Sequence, residues 1–237
     1  CSHGYFGEDG QIQSILNYLK IPYTHSGVLT SAILMNKIIS KKLFQSLGIR
    51  SPEFLSEYNI NNKKLKFPLI IKPVNGGSSY GLIKVNNKES LIKYLNKKKI
   101  KKCEMLIEEF IFGRELTVGI LENKICGVME IKFSEELYDY NNKYINIAKH
   151  IISPKLPKKI EIELIENSLK VHSSLSCNCI SRLDFRYNEE TNKTYLLEVN
   201  TQPGLTKNSL LPEMAREKGI SFLKLCEILL KASICEI

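Results

Sequence analysis

Two short stretches near the end of the chain, Arg182-Leu183-Asp184-Phe185 and Leu197-Glu198-Val199-Asn200, alternate polar and apolar residues. Alternation of that kind belongs to β-strands, in which side chains two apart share a face. Arg182 therefore goes with Asp184, and Glu198 with Asn200. The polar segment 188–193 between them predicts a hairpin with strands over 181–187 and 194–200. If the polar faces coincide, two carboxylates and an amide oxygen converge among residues whose neighbours face a core. Like charges held together out of water are costly unless a cation lies between them, and hard oxygen ligands that leave room for phosphate suit Mg²⁺. An exposed polar hairpin without metal fits the same pattern equally.

The remaining periodicities mix helix and strand, so the fold class is α/β in the broad sense that includes α+β. Ile12, Ile15, Leu16 and Leu19 predict a helix after the loop Gly7-Glu8-Asp9-Gly10, and Ile33, Ile39, Leu43 and Leu47 predict a single helix over 29–47 ended by Gly48. Lys37 falls inside that helix. Strands are expected over 67–72, 82–85, 105–110, 115–121 and 124–131, and helices over 158–175 and from Ser221. Segment 133–150 is polar and aromatic without clear periodicity. A long irregular segment of this kind is expected to be functional, and here to act as a lid.

With 43% hydrophobic and 25% charged residues the chain has a globular composition, and no run approaches the ~20 apolar residues of a membrane span. The formal charge of +9 would attract anions. Its densest basic run, Lys97-Lys98-Lys99-Ile100-Lys101-Lys102, has no aromatic neighbours and reads as a solvated face, so neither nucleic acid nor a membrane is expected as a partner. The 7 cysteines lack zinc or redox spacing, which predicts free thiols in a reducing, cytoplasmic setting. The absence of a starting methionine suggests a fragment.

Three further segments offer polar groups to a ligand. Backbone N–H groups of Gly76, Gly77, Ser78 and Ser79 could wrap a phosphate that the Lys72 ammonium also reaches, although a glycine-rich turn between strands is commonly only a turn. Ile107-Glu108-Glu109-Phe110-Ile111 could present backbone groups to a base edge, with Glu115 beyond Gly113 accepting from sugar hydroxyls; a charge-protected edge strand is the plainer reading. Asn200-Thr201-Gln202-Pro203-Gly204 leaves the acidic strand through a turn whose N–H groups could hold an oxyanion.

In order and spacing, these pieces resemble the D-alanine:D-alanine ligases of the ATP-grasp superfamily across essentially the whole chain. The resemblance is carried by His3-Gly4 with Gly7-Glu8-Asp9-Gly10, Lys37, Ile71-Lys72-Pro73, and Gly77-Ser78-Ser79-Tyr80-Gly81. It continues through Glu108, Gly113 and Glu115, Tyr138-Asp139-Tyr140 with Lys143-Tyr144, Arg182-Leu183-Asp184, and Glu198-Val199-Asn200-Thr201-Gln202-Pro203-Gly204. It implies a remnant of an N-terminal substrate-binding domain over 1–27, a central subdomain over 28–110 and a C-terminal subdomain over 111–237 with the metal site, the last two sandwiching ATP.

By resemblance, Lys37 and Lys72 contact the phosphates and Ser78 and Ser79 close over them. Glu108 and Ile111 frame adenine through their backbone, and Glu115 takes the ribose. Asp184, Glu198 and Asn200 hold two Mg²⁺ ions, which Mn²⁺ could replace. Arg182, the Gly204 N–H, Ser78 and Tyr144 serve catalysis, while His3, Glu8, Lys143 and Ser209 bind substrate. The implied reaction joins two D-alanines through an acylphosphate for peptidoglycan synthesis, in a cytoplasmic homodimer. An acceptor such as D-lactate, or a truncated nucleotide-binding module without turnover, are the alternatives; Lys143-Tyr144 resembles the dipeptide-forming subclass. Relative to the family, a strand-helix region before His3, with its substrate-binding glutamate, is absent, and Asn36 stands for a common aspartate.

Overall fold

Short turns between apolar strands favour antiparallel pairing. The computed structural model describes residues 4–55, 66–77, 81–97, 105–132 and 149–236. Its strands form two antiparallel sheets. The first contains β1 (Phe54–Leu55), β2 (Leu69–Pro73), β3 (Ile83–Val85) and β4 (Met105–Glu109), in the order β1-β4-β2-β3. The second contains β5 (Arg114–Leu121), β6 (Lys124–Lys132), β7 (Lys149–Ile152), β8 (Ile180–Asn188) and β9 (Lys193–Asn200), in the order β7-β6-β5-β8-β9. Residues 110–113 carry the chain from one sheet to the other. The β8–β9 register sets Asp184 opposite Glu198 and Arg182 opposite Asn200, so the two polar faces do coincide.

Helices α1 (Gln11–Tyr18), α2 (Val28–Met35), α3 (Lys37–Ser46), α4 (Lys88–Lys97), α5 (Lys158–Ser174), α6 (Leu210–Glu217) and α7 (Phe222–Lys231) complete the described elements. The single helix expected over 29–47 is two. At Asn36 the backbone is extended, with φ −82° and ψ 102°, and its side chain accepts from the N–H groups of Ile38 and Ile39 at 3.1 Å each. Asn36 thus caps a new helix. Lys37 is the first residue of α3, and its N–H donates to the Val74 carbonyl at 3.1 Å. The break is what brings the Lys37 ammonium to the glycine-rich loop.

Packing ties the residues after 28 to the second sheet. Leu34, Phe44 and Ile49, from α2, α3 and the segment after them, share a core with Val118 of β5, Leu183 of β8 and Leu164 of α5. Residues 28–49 therefore pack on the second sheet, while the first sheet has its own small core of Leu69, Ile71, Val85, Leu91 and Ile107 against α4. A third core joins Met129 to Leu211 and Met214 of α6 and Leu225 and Leu229 of α7. Gly119 and Gly127 lie opposite each other on β5 and β6, and a Cβ on either would come 3.0 Å from Met214. Two missing side chains make the slot that α6 fills. Residues 4–27 are tied to the far end of the chain, Tyr23 exchanging backbone bonds of 2.9 and 3.0 Å with Ile234.

Candidate active site

Between the two sheets lies a cleft of about 900 Å³, open to solvent. Seven of the residues singled out from sequence line it: Lys37, Lys72, Glu108, Ile111, Glu115, Asp184 and Glu198, together with Gly76 and Gly77. A smaller cavity of about 320 Å³ adjoins it, sharing Lys37, Gly76, Gly77 and Glu198 and adding Glu8, Asn200 and Thr201. The shared wall is lysine, backbone amide and carboxylate.

Lys37 is buried, with Nζ donating to the Gly76 carbonyl at 2.5 Å and 3.7 Å from Glu198 Oε2. Burial lowers its pKa, and Glu198 counters only part of this. Lys72, near the end of β2, is also buried, with Nζ 2.5 Å from Glu108 Oε1. A third lysine, Lys41, escaped the sequence reading. One helical turn beyond Lys37 on α3, it is fully buried, with Nζ 2.8 Å from Glu108 Oε2. Burial drives its pKa down to about 8 against the pull of Glu108. Burial would raise the Glu108 carboxyl, but Lys41 and Lys72 outweigh it and hold it below the ordinary carboxylate range.

Glu108 brings its side chain as well as its strand position to the site. It lies opposite both Phe54 and Ile70 on a strand paired along both edges, so its backbone belongs to the sheet. Its carboxylate, between two ammonium groups, is what faces the cleft. Past the end of β4, the Phe110 ring lies 4.2 Å from the Lys84 ammonium and 5.8 Å from the Arg186 guanidinium. Glu115 pairs with Arg186 at 3.0 Å. This end of the cleft offers an aromatic face, an apolar Ile111 and one carboxylate.

At the acidic hairpin, Asp184 Oδ1 accepts from Thr117 Oγ1 at 2.6 Å and from Arg182 Nε at 3.0 Å. Its Oδ2 accepts from an Arg182 terminal nitrogen at 2.8 Å and from Asn200 Nδ2 at 3.0 Å. Burial alone would raise the Asp184 carboxyl; Arg182, Thr117 and Asn200 outweigh it and hold the group ionised well below its usual range. The partnership also raises the Arg182 pKa despite burial. Glu8 is buried, accepting from the N–H of Gly4 at 2.6 Å and of Gln202 at 2.8 Å, which joins the first loop to the turn after β9. Gly204 lies beyond that turn, where a Cβ would come 3.0 Å from Ser209 Oγ. Ser209 Oγ itself holds Thr206 through its N–H at 3.1 Å and its hydroxyl at 2.8 Å. Gly204 and Ser209 are not on the walls of either cavity. His3, Ser78, Ser79, Lys143 and Tyr144 lie outside the described residues, as does 133–148 of the expected lid; Lys149 and His150 begin β7.

The profile of the family described as "D-ala D-ala ligase C-terminus" matches residues 44–231. A D-alanine–D-alanine ligase of Wolbachia pipientis wMel is 41% identical over 238 residues, covering 98% of this chain and 76% of that protein. The enzyme of the same name from Pelagibacter ubique is 44% identical over 241 residues, covering 97% of this chain and 78% of its own length. Among solved structures, the Bacillus anthracis D-alanine–D-alanine ligase complexed with ATP superimposes with a TM-score of 0.80 at 31% identity, covering 97% of this chain and 76% of that one. The VanG D-Ala:D-Ser ligase of Enterococcus faecalis gives 0.82 at 30% identity, with 97% and 70% covered. With the matched profile spanning most of the chain and this likeness of fold, the chain belongs to the D-alanine–D-alanine ligase family of ATP-grasp enzymes.

Proposed function

We infer that the chain carries out ATP-dependent ligation of two D-alanines to D-alanyl-D-alanine, for peptidoglycan synthesis. The observation that carries this reading to particular atoms is the wall shared by the two cavities. In this reading ATP occupies the larger cleft with its base toward Phe110, Ile111 and Glu115 and its phosphates toward Lys37, Lys72 and the Gly76-Gly77 backbone, all of which line it. The terminal phosphate then meets the shared wall, and a D-alanine carboxylate in the smaller cavity meets it from the other side. Attack of a carboxylate oxygen on the γ-phosphorus releases ADP and forms an acylphosphate. The amine of a second D-alanine then attacks the carbonyl carbon, and phosphate leaves with that carboxylate oxygen.

The chain's own groups supply positioning and charge. The lysines neutralise the phosphoryl oxygens, and the bidentate Asp184–Arg182 pair fixes a guanidinium beside the acidic hairpin, where it can stabilise a tetrahedral oxyanion. The donor chemistry suits a hard divalent cation: Asp184 and Glu198 lie opposite each other and line the same cleft, and the Asn200 amide, whose nitrogen is spent on Asp184, keeps its oxygen, but Asp184 would have to exchange one of its four hydrogen bonds for the cation. Asp184, Glu198 and Asn200 would hold Mg²⁺, which would supply Lewis-acid neutralisation of phosphoryl charge.

The likeness to a D-Ala:D-Ser ligase makes the acceptor the point to test. Phosphate release from ATP should require added D-alanine and yield one dipeptide per phosphate. Equal or better turnover with D-serine or D-lactate as acceptor would move the reading to that subclass, and release independent of any amino acid would remove the ligase reading for this chain.

A further inference from the structure

Among Lys37, Lys41 and Lys72, Lys41 is the lysine that does not line the cleft. Its side chain is fully buried and it lies behind the cleft wall that Lys72 and Glu108 form. Burying an ammonium costs several kcal/mol unless something compensates, and its proximate compensation is one oxygen of Glu108. The other oxygen of the same carboxylate holds Lys72. One carboxylate is thus divided between two ammonium groups, one hidden and one facing the cleft.

Charge counting gives this arrangement a purpose. If Glu108 faced Lys72 alone, the pair would be neutral and the cleft would present an ion pair to the phosphates. With Lys41 behind it, Glu108 is already neutralised from the protein side, and Lys72 keeps an uncompensated positive charge on the ligand side. Lys41 also anchors the carboxylate, so Lys72 is held at one oxygen rather than competing for both. The α3 face that delivers Lys41 also delivers Lys37 one turn earlier, so one helix sets two of the three lysine positions.

We propose that Lys41 is a positioning residue that neutralises Glu108 from behind and thereby leaves the Lys72 charge free for the phosphates of ATP. This rests on the reading of the cleft as the ATP site. Lys41 touches no reacting atom; it acts through Glu108 on Lys72. The fall of its pKa to about 8 through burial agrees with an ammonium kept charged at neutral pH chiefly by that carboxylate.

The test compares ATP and adenosine binding by calorimetry, using the ratio of the two affinities as the measure of phosphate recognition. Lys41→Met removes the hidden charge while keeping the stem. Losing a charge-assisted contact's worth of phosphate attraction should lower the ATP-to-adenosine ratio about tenfold or more. Adding Glu108→Gln removes the carboxylate that would otherwise quench Lys72, and the double variant should regain a ratio within about threefold of the parent. The double variant carries no buried unpaired carboxylate, so it remains the test if Lys41→Met alone fails to fold. A purely structural role would depress ATP and adenosine alike and would show no rescue. An unchanged ratio in Lys41→Met, or a double variant still depressed tenfold, overturns the proposal. A parent protein that binds no ATP overturns instead the reading on which it rests.

Discussion

The Thr117 side chain reaches the acidic hairpin through a single hydrogen bond, which makes it the cleanest place to measure how firmly that hairpin is held. It lies opposite Asp184 in the β5–β8 register, is fully buried, and donates its hydroxyl to Asp184 Oδ1 at 2.6 Å. Thr117→Val keeps the β-branched shape and removes only that donor. A hydrogen bond to a charged group contributes about 1.5–3 kcal/mol, so urea unfolding at pH 7 should show a loss of about 2 kcal/mol. Asp184 has a folded pKa held below its unfolded value of about 3.9. Its stabilisation is therefore present above that value and is lost as pH falls through the lower folded one. The variant weakens the grip on the charged form, so its carboxyl titrates at higher pH than the parent's, and the difference between the two proteins holds from pH 7 down and then shrinks as pH falls from the variant's folded pKa through the parent's lower one. A loss under about 0.5 kcal/mol at pH 7, or one that persists undiminished after both carboxyls have titrated, would refute the claim that the hydroxyl serves an ionised carboxylate.

Three other outcomes follow from the same contacts. Glu198→Gln should weaken ATP binding in the presence of Mg²⁺ and leave metal-free nucleotide binding nearly unchanged, which calorimetry with and without the cation resolves. Lys72→Ala should cost about tenfold or more in ATP affinity, whereas Lys93→Ala, on the exposed face of α4, should cost nothing measurable; equal losses would mean that overall charge, not placement, attracts the nucleotide. His172 is buried between Ser181 Oγ at 2.7 Å and Asn123 Oδ1 at 2.8 Å, and burial lowers its pKa to about 4. Because the unfolded chain takes up that proton first, stability should fall as pH drops from about 6.5 to about 4, and a midpoint near 6.5 for this imidazole by NMR would contradict its burial.

The hairpins were legible because their strands alternate cleanly and their turns are short. The β8–β9 register set Arg182, Asp184, Glu198 and Asn200 on one face as period-two reasoning expects. Local chemistry against a continuous apolar pattern was not legible: Ile33, Ile39, Leu43 and Leu47 run through the break at Asn36, and only the capping bonds reveal two helices. Helix α6 escaped because Pro212 looks like a stop, yet it lies at the third helical position, where its missing N–H has no intrahelical partner to lose. Lys41 escaped for a different reason. A lysine on a helix is ordinarily solvated, and nothing local to residues 37–46 announces that Glu108, on a strand far along the chain, closes over it. The role of Glu108 likewise depended on which strands flank β4, a matter of sheet order rather than of sequence near residue 108.

The central claim is that the carboxylate of one D-alanine is phosphorylated by ATP at the wall shared by the two cavities. It is tested most directly with D-alanine carrying ¹⁸O in both carboxylate oxygens, incubated with the protein, ATP and Mg²⁺, with the released phosphate analysed by mass spectrometry. Passage through an acylphosphate transfers one labelled oxygen to each phosphate formed alongside dipeptide. Phosphate released without label, whether or not dipeptide forms, would contradict the account.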